Sequence, residues 1–273
     1  MSPQKSSDLD GLMAQLRAGK TYKGLDLPEE TLRDLLALEL SRYKKPAEAL
    51  KSARAKLHNV MAPYLGDLDY AQATQELQAA FSSGPDAVKD TCRAFLQQHD
   101  STRERLVYLE DFYKEIFAIC GQPASVLDLA CGLNPFALPW IGLPSGARYY
   151  AYDIHPPRVA LITDFLRLSG KEALAEVRDI LVRPPQVEAD AAFLFKEAHR
   201  LEKRRKGCNR ALWSALKVKY LFVSLPRRSL DGKRDLRERM RGLVADNLNP
   251  AEWEVRGELD FPGETVFWMK RHG

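Results

Sequence analysis

The chain has 273 residues, of which 45% are hydrophobic and 29% charged, and this composition is typical of a globular protein rather than a disordered one. Its net charge of +4 is too small to establish a nucleic-acid partner, so the distribution of charge matters more than the total. The cysteines form no CxxC pair, and we predict no metal site. Because the sequence has neither an apolar signal segment nor a run long enough to span a bilayer, we expect a cytoplasmic protein.

Residues 1–100 are predicted to be helical throughout. One helix opens at Pro28 with acidic residues in its first turn, a second follows Pro46, and two more cover about residues 69–81 and 85–99. The helix after Pro46 has one apolar face and one basic face, and the basic side chains on and around it are Lys44, Lys45, Lys51, Arg54, Lys56 and His58. Two interpretations stay open: a solvated outer face, the commoner case, and a phosphate-binding surface.

A domain boundary is predicted near residue 100, where Ser101-Thr102-Arg103-Glu104 has the pattern of a capping box that opens a helix. Beyond it, strand and helix patterns alternate. Strands are predicted at 126–130, 148–153, 175–178, 191–196 and 220–225, helices at 154–168, 197–216 and 236–248, and a closing antiparallel pair at 252–259 and 264–270. This alternation predicts an α/β domain over residues 101–273 with a mostly parallel, doubly wound sheet.

The segment 125–137, SVLDLACGLNPFA, is predicted to be a buried strand that runs into a tight loop. Its apolar run is followed by small residues and by the turn signal Asn134-Pro135. Ligands of open α/β sheets bind beyond the carboxyl ends of the strands, and Gly132 lets a ligand approach the backbone closely. This loop is therefore our candidate ligand cradle.

Two acidic residues follow the next strands. A carboxylate at Asp153 can accept hydrogen bonds from a ribose diol, and one at Asp179 suits an exocyclic amine such as adenine N6. Each acid alone is more often a surface residue or a helix cap, but together with the cradle they favour a nucleoside-containing cofactor. The dinucleotide pattern GxGxxG and the P-loop pattern GxxxxGK[ST] are both absent, so S-adenosylmethionine, which carries adenosine without phosphates, fits best.

Several motifs then point to one family. The most specific are VLDLACGLNPFAL at 126–138 and Asp153-Ile154-His155, and the others are STRERL at 101–106, RDIL at 178–181, FK at 195–196, SLPRRSL at 224–230, GKTYK at 19–23 and ARAKLH at 53–58. With these motifs the sequence resembles, from about residue 15 onward, the aminoglycoside-resistance 16S rRNA methyltransferases that modify guanine N7 in the decoding centre, the guanine 1405 type.

The resemblance implies a Rossmann-like class I S-adenosylmethionine-dependent methyltransferase domain at 101–273, preceded by a helical rRNA-docking domain at 1–100. Arg105 would hold the cofactor carboxylate, Asp153 the ribose, and Asp179 and Ile180 the adenine. The further cofactor contacts would be Ala130, Cys131, Gly132, Ile154 and Lys196. The flipped guanine would meet Ser224, Pro226, Arg228 and Ser229, and rRNA phosphates would meet Lys20, Lys44, Lys45, Lys51, Arg54, Lys56 and His58. The implied partner is 16S rRNA in the assembled 30S subunit, bound by a monomer.

The chemistry implied by the resemblance needs little acid–base assistance. Guanine N7 has a free lone pair and no proton to lose, so we expect catalysis by positioning, without a general base, and S-adenosylhomocysteine as product. Because the segment after Leu230 departs from the family pattern, two alternatives stay open. They are N7 methylation of a different RNA guanine and a non-catalytic RNA-binding ribosome assembly factor.

Overall fold

The computed structural model describes residues 3–18, 28–64, 66–229 and 232–273. Within these ranges the first hundred residues are helical, as predicted. The helices are α1 (Pro3–Arg17), α2 (Glu29–Leu40), α3 (Pro46–Met61), α4 (Tyr70–Ser83) and α5 (Pro85–Gln98), and a 3₁₀ turn, Ala62–Tyr64, follows α3. Proline at the first position opens α3 and α5, and Asp69 caps α4 by accepting hydrogen bonds from the backbone N–H groups of Ala71 and Gln72.

These helices contribute to two separate cores. Helices α1 to α3 pack on one another through Leu16, Leu35, Leu57 and their neighbours. In contrast, α4 and α5 bury Leu77 and Phe95 in the core that covers one face of the sheet. Helices α4 and α5 therefore pack with the sheet, whereas α1 to α3 form a core of their own.

The predicted capping box at residues 101–104 is wrong. Helix α6 (Asp100–Arg105) begins one residue earlier, and no side chain caps its N-terminus. Thr102 is buried, and its hydroxyl donates backward to the carbonyl oxygens of Leu96 (2.6 Å) and His99 (3.0 Å). The side chain of Glu104 turns away to pair with Lys196. A 3₁₀ turn, Leu106–Tyr108, and helix α7 (Leu109–Cys120) follow.

Seven strands within the described residues form one sheet in the order β3-β2-β1-β4-β5-β7-β6. They are β1 (Ser125–Leu129), β2 (Arg148–Asp153), β3 (Ala175–Val177), β4 (Glu188–Phe195), β5 (Lys217–Pro226), β6 (Trp253–Asp260) and β7 (Glu264–Arg271). The first five are parallel, and β7 runs antiparallel to both β5 and β6. The predicted strand order along the chain and the closing antiparallel pair are thus confirmed.

The remaining helices are α8 (Leu138–Ile141), α9 (Pro156–Leu168), α10 (Ala198–Arg204), α11 (Cys208–Ala215) and α12 (Arg237–Asn247). The single helix predicted for residues 197–216 is wrong, because two helices, α10 and α11, occupy this segment. The break between them includes Gly207, whose φ of +74° is a left-handed conformation that glycine adopts without steric cost.

Helices cover both faces of the sheet, which confirms the predicted doubly wound α/β fold. One face packs on α4, α5, α7 and α9, and the other on α10, α11 and α12. Among the described residues no helix combines the length and the apolar character that a membrane span requires. The chain leaves β1 toward β2 on one side and returns through β4 on the other, so the sheet has its topological switch point at β1. Ligands of such sheets bind beyond the carboxyl ends of the strands at this point.

Candidate functional site

The loop after β1 crosses the carboxyl ends of β1 and β2. Ala130 and Gly132 both have positive φ angles, of 50° and 55°, and the backbone N–H of Cys131 donates to the carbonyl oxygen of Tyr152 at 2.9 Å. The N–H of Gly132 donates to the carboxylate of Asp153 at 3.0 Å. Since Ala130 is not glycine, its left-handed backbone is uncommon and stays in place because the surrounding bonds fix it. The predicted cradle is therefore a rigid turn tied to the end of β2.

Asp153 is the centre of this edge of the sheet and is only 3% exposed. Its carboxylate accepts hydrogen bonds from the N–H of His155 (2.9 Å) and from the hydroxyl of Tyr64 (3.2 Å), and it pairs with Arg158 at 3.4 Å. Arg158 also pairs with Asp67 and lies 4.6 Å from the centre of the Tyr64 ring. The segment after α3 thus reaches directly to the residue predicted to bind a ribose.

Asp179 is equally buried, at 1% exposure. Its carboxylate accepts hydrogen bonds from the hydroxyl of Thr31 (2.8 Å) and from the N–H of Leu181 (3.1 Å), and pairs with Arg204 at 2.7 Å. Its own N–H donates to Glu30 at 3.1 Å. Asp153 and Asp179 each accept a hydrogen bond from a hydroxyl group in the N-terminal helical region, Asp153 from Tyr64 and Asp179 from Thr31. Both carboxylates therefore face this helical region.

Arg105 lies beside this edge and is 1% exposed. Its Nε and Nη2 donate to the two carboxylate oxygens of Glu264, at 2.9 and 2.8 Å, and its Nη1 donates to the side-chain oxygen of Asn134 at 2.9 Å. The guanidinium lies over the rings of Phe112 (4.3 Å) and Phe195 (4.7 Å). Among the described residues, three of its five N–H groups have protein partners, so two remain that could donate to a bound anion.

Asn134 connects Arg105 to the end of β1. Its amide donates to the carboxylate of Asp128 at 2.9 Å, and its oxygen also accepts from the hydroxyl of Tyr113 at 2.8 Å. Burial raises the pKa of Asp128 to about 7, even though Tyr149 and Asn134 donate hydrogen bonds to it. For Glu264, burial alone would raise the pKa, but the charge of Arg105 lowers it on balance. The cradle loop and Arg105 are therefore held by one buried polar network.

Lys196 follows β4 and has a φ of +54°. Its N–H donates to the carbonyl oxygen (2.9 Å) and the hydroxyl oxygen (3.0 Å) of Ser224 on β5, and its ammonium pairs with Glu104. The next residue, Glu197, is half-buried, and this burial raises its pKa to about 7 although Arg200 lies 3.3 Å away.

The residues predicted to meet the target base differ in how deeply they are buried. Ser224 is fully buried, whereas Pro226 and Ser229 are half-buried and Arg228 is exposed. The Arg228 guanidinium lies 3.4 Å from the carbonyl oxygen of Gly232, and the N–H of Ser229 donates to the carbonyl oxygen of Arg234 at 3.0 Å. The loop after β5 is thus folded back on itself, with the Arg228 side chain on its outside.

The basic face predicted for the helix after Pro46 is largely exposed. Lys44, Lys45, Lys51, Arg54 and His58 are all solvent-accessible. Lys56 is different, because its ammonium pairs with Glu39 at 2.7 Å and donates to the carbonyl oxygen of Arg204 at 2.9 Å. Lys56 therefore links α3 to α10 in this conformation instead of facing solvent. Lys20 lies outside the described residues.

Several residues of this site are not predicted from the sequence, among them Arg158 and Arg204, which pair with Asp153 and Asp179. Tyr64, Thr31 and Glu264 come from distant parts of the chain and carry no local motif. Asn134 was interpreted as part of a turn signal, although an amide next to a buried strand end also suits a buried polar network.

Comparisons with known proteins identify the family of this chain. A family model described as ribosomal RNA methyltransferase (FmrO) matches residues 19–245. A 16S rRNA (guanine(1405)-N(7))-methyltransferase of Serratia marcescens is 31% identical over 266 residues, which are 97% of this chain and 100% of that protein. The corresponding methyltransferase of Frankia casuarinae is 38% identical over 207 residues, 74% of this chain and 72% of the relative.

A solved structure extends the likeness to three dimensions. The crystal structure of the 16S rRNA methyltransferase RmtF in complex with S-adenosyl-L-homocysteine has a TM-score of 0.78 and 28% identity, with complete coverage of both chains. The structure of the 16S rRNA methylase RmtB gives a TM-score of 0.77, also at 28% identity, over 97% of this chain and 98% of that one. These matches confirm the resemblance inferred from the motifs, and the chain belongs to the FmrO family of ribosomal RNA methyltransferases.

Proposed function

We propose that this protein transfers a methyl group from S-adenosylmethionine to N7 of guanine 1405 in 16S rRNA and so confers aminoglycoside resistance. The observation that carries the proposal is the pair of buried carboxylates, Asp153 and Asp179, at the ends of neighbouring strands beside the β1 loop. The Serratia marcescens relative, which is similar over its whole length, carries this activity in its name.

The residues at the sheet edge fit S-adenosylmethionine. Asp153 already accepts a hydroxyl hydrogen bond from Tyr64, the kind of bond that a ribose diol makes. Because its carboxylate has four partners in this structure, ribose binding requires Tyr64 to share or release its bond. The two unused N–H groups of Arg105 suit the carboxylate of the methionine tail. The cofactor-binding set proposed is Arg105, Ala130, Cys131, Gly132, Asp153, Ile154, Asp179, Ile180 and Lys196.

The mechanism follows from the chemistry of the methyl donor and of guanine N7. S-adenosylmethionine, when bound, supplies a methyl group on a positively charged sulfur, which is a strong electrophile. Guanine N7 carries no proton, so the protein needs no general base, and its residues act by orienting the acceptor and excluding water. Of the residues proposed to meet the base, Ser224 and Pro226 form the end of β5, while Arg228 and Ser229 belong to the loop beyond it.

The basic face of α3 is the proposed rRNA contact. Lys44, Lys45, Lys51, Arg54 and His58 form its exposed part, and Lys20 is proposed with them. Lys56, which was predicted to belong to this set, is held by Glu39 and could contact phosphate only after leaving that pair. Contacts of cationic side chains with phosphates release counterions, so we expect rRNA binding to weaken steeply with salt. The partner proposed is the assembled 30S subunit in the cytoplasm, bound by a monomer.

A growth challenge tests the proposed activity. Cells of a susceptible bacterium that express the wild-type protein are expected to grow in gentamicin and kanamycin, whereas cells that express Asp153→Ala at the same level are not. Equal susceptibility of both strains, with soluble protein in each, would overturn the proposal in favour of a non-catalytic RNA-binding factor or a different target guanine.

A further inference from the structure

Val107 is exposed far more than any comparable side chain. It is 91% exposed, whereas the other large hydrophobic residues classed as exposed among the described ones, Tyr43, Leu168 and Val255, reach only 39–41%. A single exposed apolar residue is ordinary on a protein surface. The case of Val107 differs because of the turn that carries it and the place where that turn lies.

The turn that presents Val107 is fixed on both sides. Two residues before it, Arg105 is bound by both carboxylate oxygens of Glu264. Directly after it, the hydroxyl of Tyr108 donates to the same Glu264 at 3.1 Å, and the Tyr108 ring stacks on Phe261 at 5.3 Å with an interplanar angle of 10°. With both flanks anchored in a buried ion pair, the valine side chain is held outward on a rigid support.

The turn also borders the proposed active edge of the sheet. Glu104, at the end of α6, pairs with Lys196 at the carboxyl end of β4. Phe261, against which Tyr108 stacks, accepts a hydrogen bond at its carbonyl oxygen from the Arg227 side chain, next to Arg228. The turn that carries Val107 is therefore tied both to the cofactor residue Arg105 and, through Phe261 and Arg227, to the loop proposed to meet the guanine.

We infer that Val107 is a wedge that enters the RNA base stack where the target guanine leaves it. The inference rests on the proposed function. To bring N7 to a methyl donor held at the buried sheet edge, the guanine must leave its helix, and unstacking costs a few kcal/mol. Proteins that distort nucleic acids fill such gaps with apolar side chains, because a rigid hydrocarbon replaces the lost stacking contacts. Val107 is a positioning residue in this scheme, since it touches the RNA beside the target rather than the reacting atoms.

The test compares Val107→Ala and Val107→Ile with a matched control, Leu168→Ala, whose side chain is also exposed but lies at the end of α9. Single-turnover methylation of 30S particles is expected to fall about tenfold in Val107→Ala, which corresponds to ~1.4 kcal/mol, and to recover in Val107→Ile. Affinity for S-adenosylhomocysteine is expected to stay within about twofold in all three variants, a difference of less than ~0.5 kcal/mol.

A second readout separates a wedge from a structural role. With S-adenosylhomocysteine bound, wild-type protein is expected to protect N7 of the target guanine in 30S particles from dimethyl sulfate, because the extruded base is enclosed by the protein, and Val107→Ala at equal occupancy is expected to protect it less. Methylation by Val107→Ala at the wild-type rate, or loss of rate without recovery in Val107→Ile, would overturn the wedge. Failure of the wild-type protein to methylate 30S particles would instead contradict the proposed function.

Discussion

Replacing Asp153 with alanine is expected to lower the affinity for S-adenosylmethionine by at least ~100-fold, because two hydrogen bonds to a charged group are lost and each is worth about 1.5–3 kcal/mol. The carboxylate of Asp153 accepts hydrogen bonds from the N–H of Gly132 in the β1 loop, the N–H of His155 and the hydroxyl of Tyr64. Titration calorimetry with S-adenosylhomocysteine measures the effect without turnover.

Two further variants keep this prediction specific. Asp153→Asn retains one acceptor oxygen and the side-chain shape, so we expect an intermediate affinity. Asp164→Ala removes a carboxylate from the surface of α9, where Asp164 pairs only loosely with Arg167 at 3.4 Å, and should leave affinity unchanged. If Asp153→Ala stays folded by circular dichroism and binds the cofactor as tightly as the wild type, the ribose assignment is wrong.

Arg228→Ala is expected to abolish methylation while affinity for S-adenosylhomocysteine stays within about twofold, a difference of less than ~0.5 kcal/mol. Its guanidinium is exposed and, within the part of the chain that the structure describes, makes one weak contact, to the carbonyl oxygen of Gly232 at 3.4 Å. Loss of this side chain should therefore change the free energy of unfolding by less than about 0.5 kcal/mol, as for other surface positions. The measurements are methylation of 30S particles with labelled cofactor and a parallel titration.

Arg256→Ala is the matched control for Arg228, since Arg256 lies exposed on β6 and pairs with Glu254. It should methylate at the wild-type rate. Parallel loss of activity and cofactor affinity in Arg228→Ala would mean that Arg228 belongs to the cofactor site rather than to the target side.

The strands of the sheet and the loop after β1 could be predicted from the sequence alone. An apolar run located β1, and the alternation of strand and helix patterns located β2 and the closing pair of strands, because buried strands in such sheets carry local signals. Asp153 and Asp179 could be found because strand ends place side chains at a known edge. The likeness to the FmrO family then followed from short motifs that lie on these same strand ends.

Contacts between distant residues could not be predicted. Arg105 and Glu264 are 159 residues apart, Thr31 and Asp179 are 148 apart, and Tyr64 and Asp153 are 89 apart. No local pattern encodes such pairs, since each depends on how the helical region packs on the sheet. The capping box failed for a related reason: Glu104, which would bond the N-cap backbone in such a box, pairs instead with Lys196, 92 residues along the chain, and the Ser101 hydroxyl contacts the ring of His99 at 2.8 Å.

The most direct measurement is the position of the methylated base. Purified 30S particles are incubated with the protein and S-adenosylmethionine, their 16S rRNA is cleaved by borohydride and aniline at N7-methylguanine, and the break is mapped by primer extension. We expect one new break, at guanine 1405, that is absent with Asp153→Ala. A break at another guanine, or none with wild-type protein that binds the cofactor, would contradict the proposed activity.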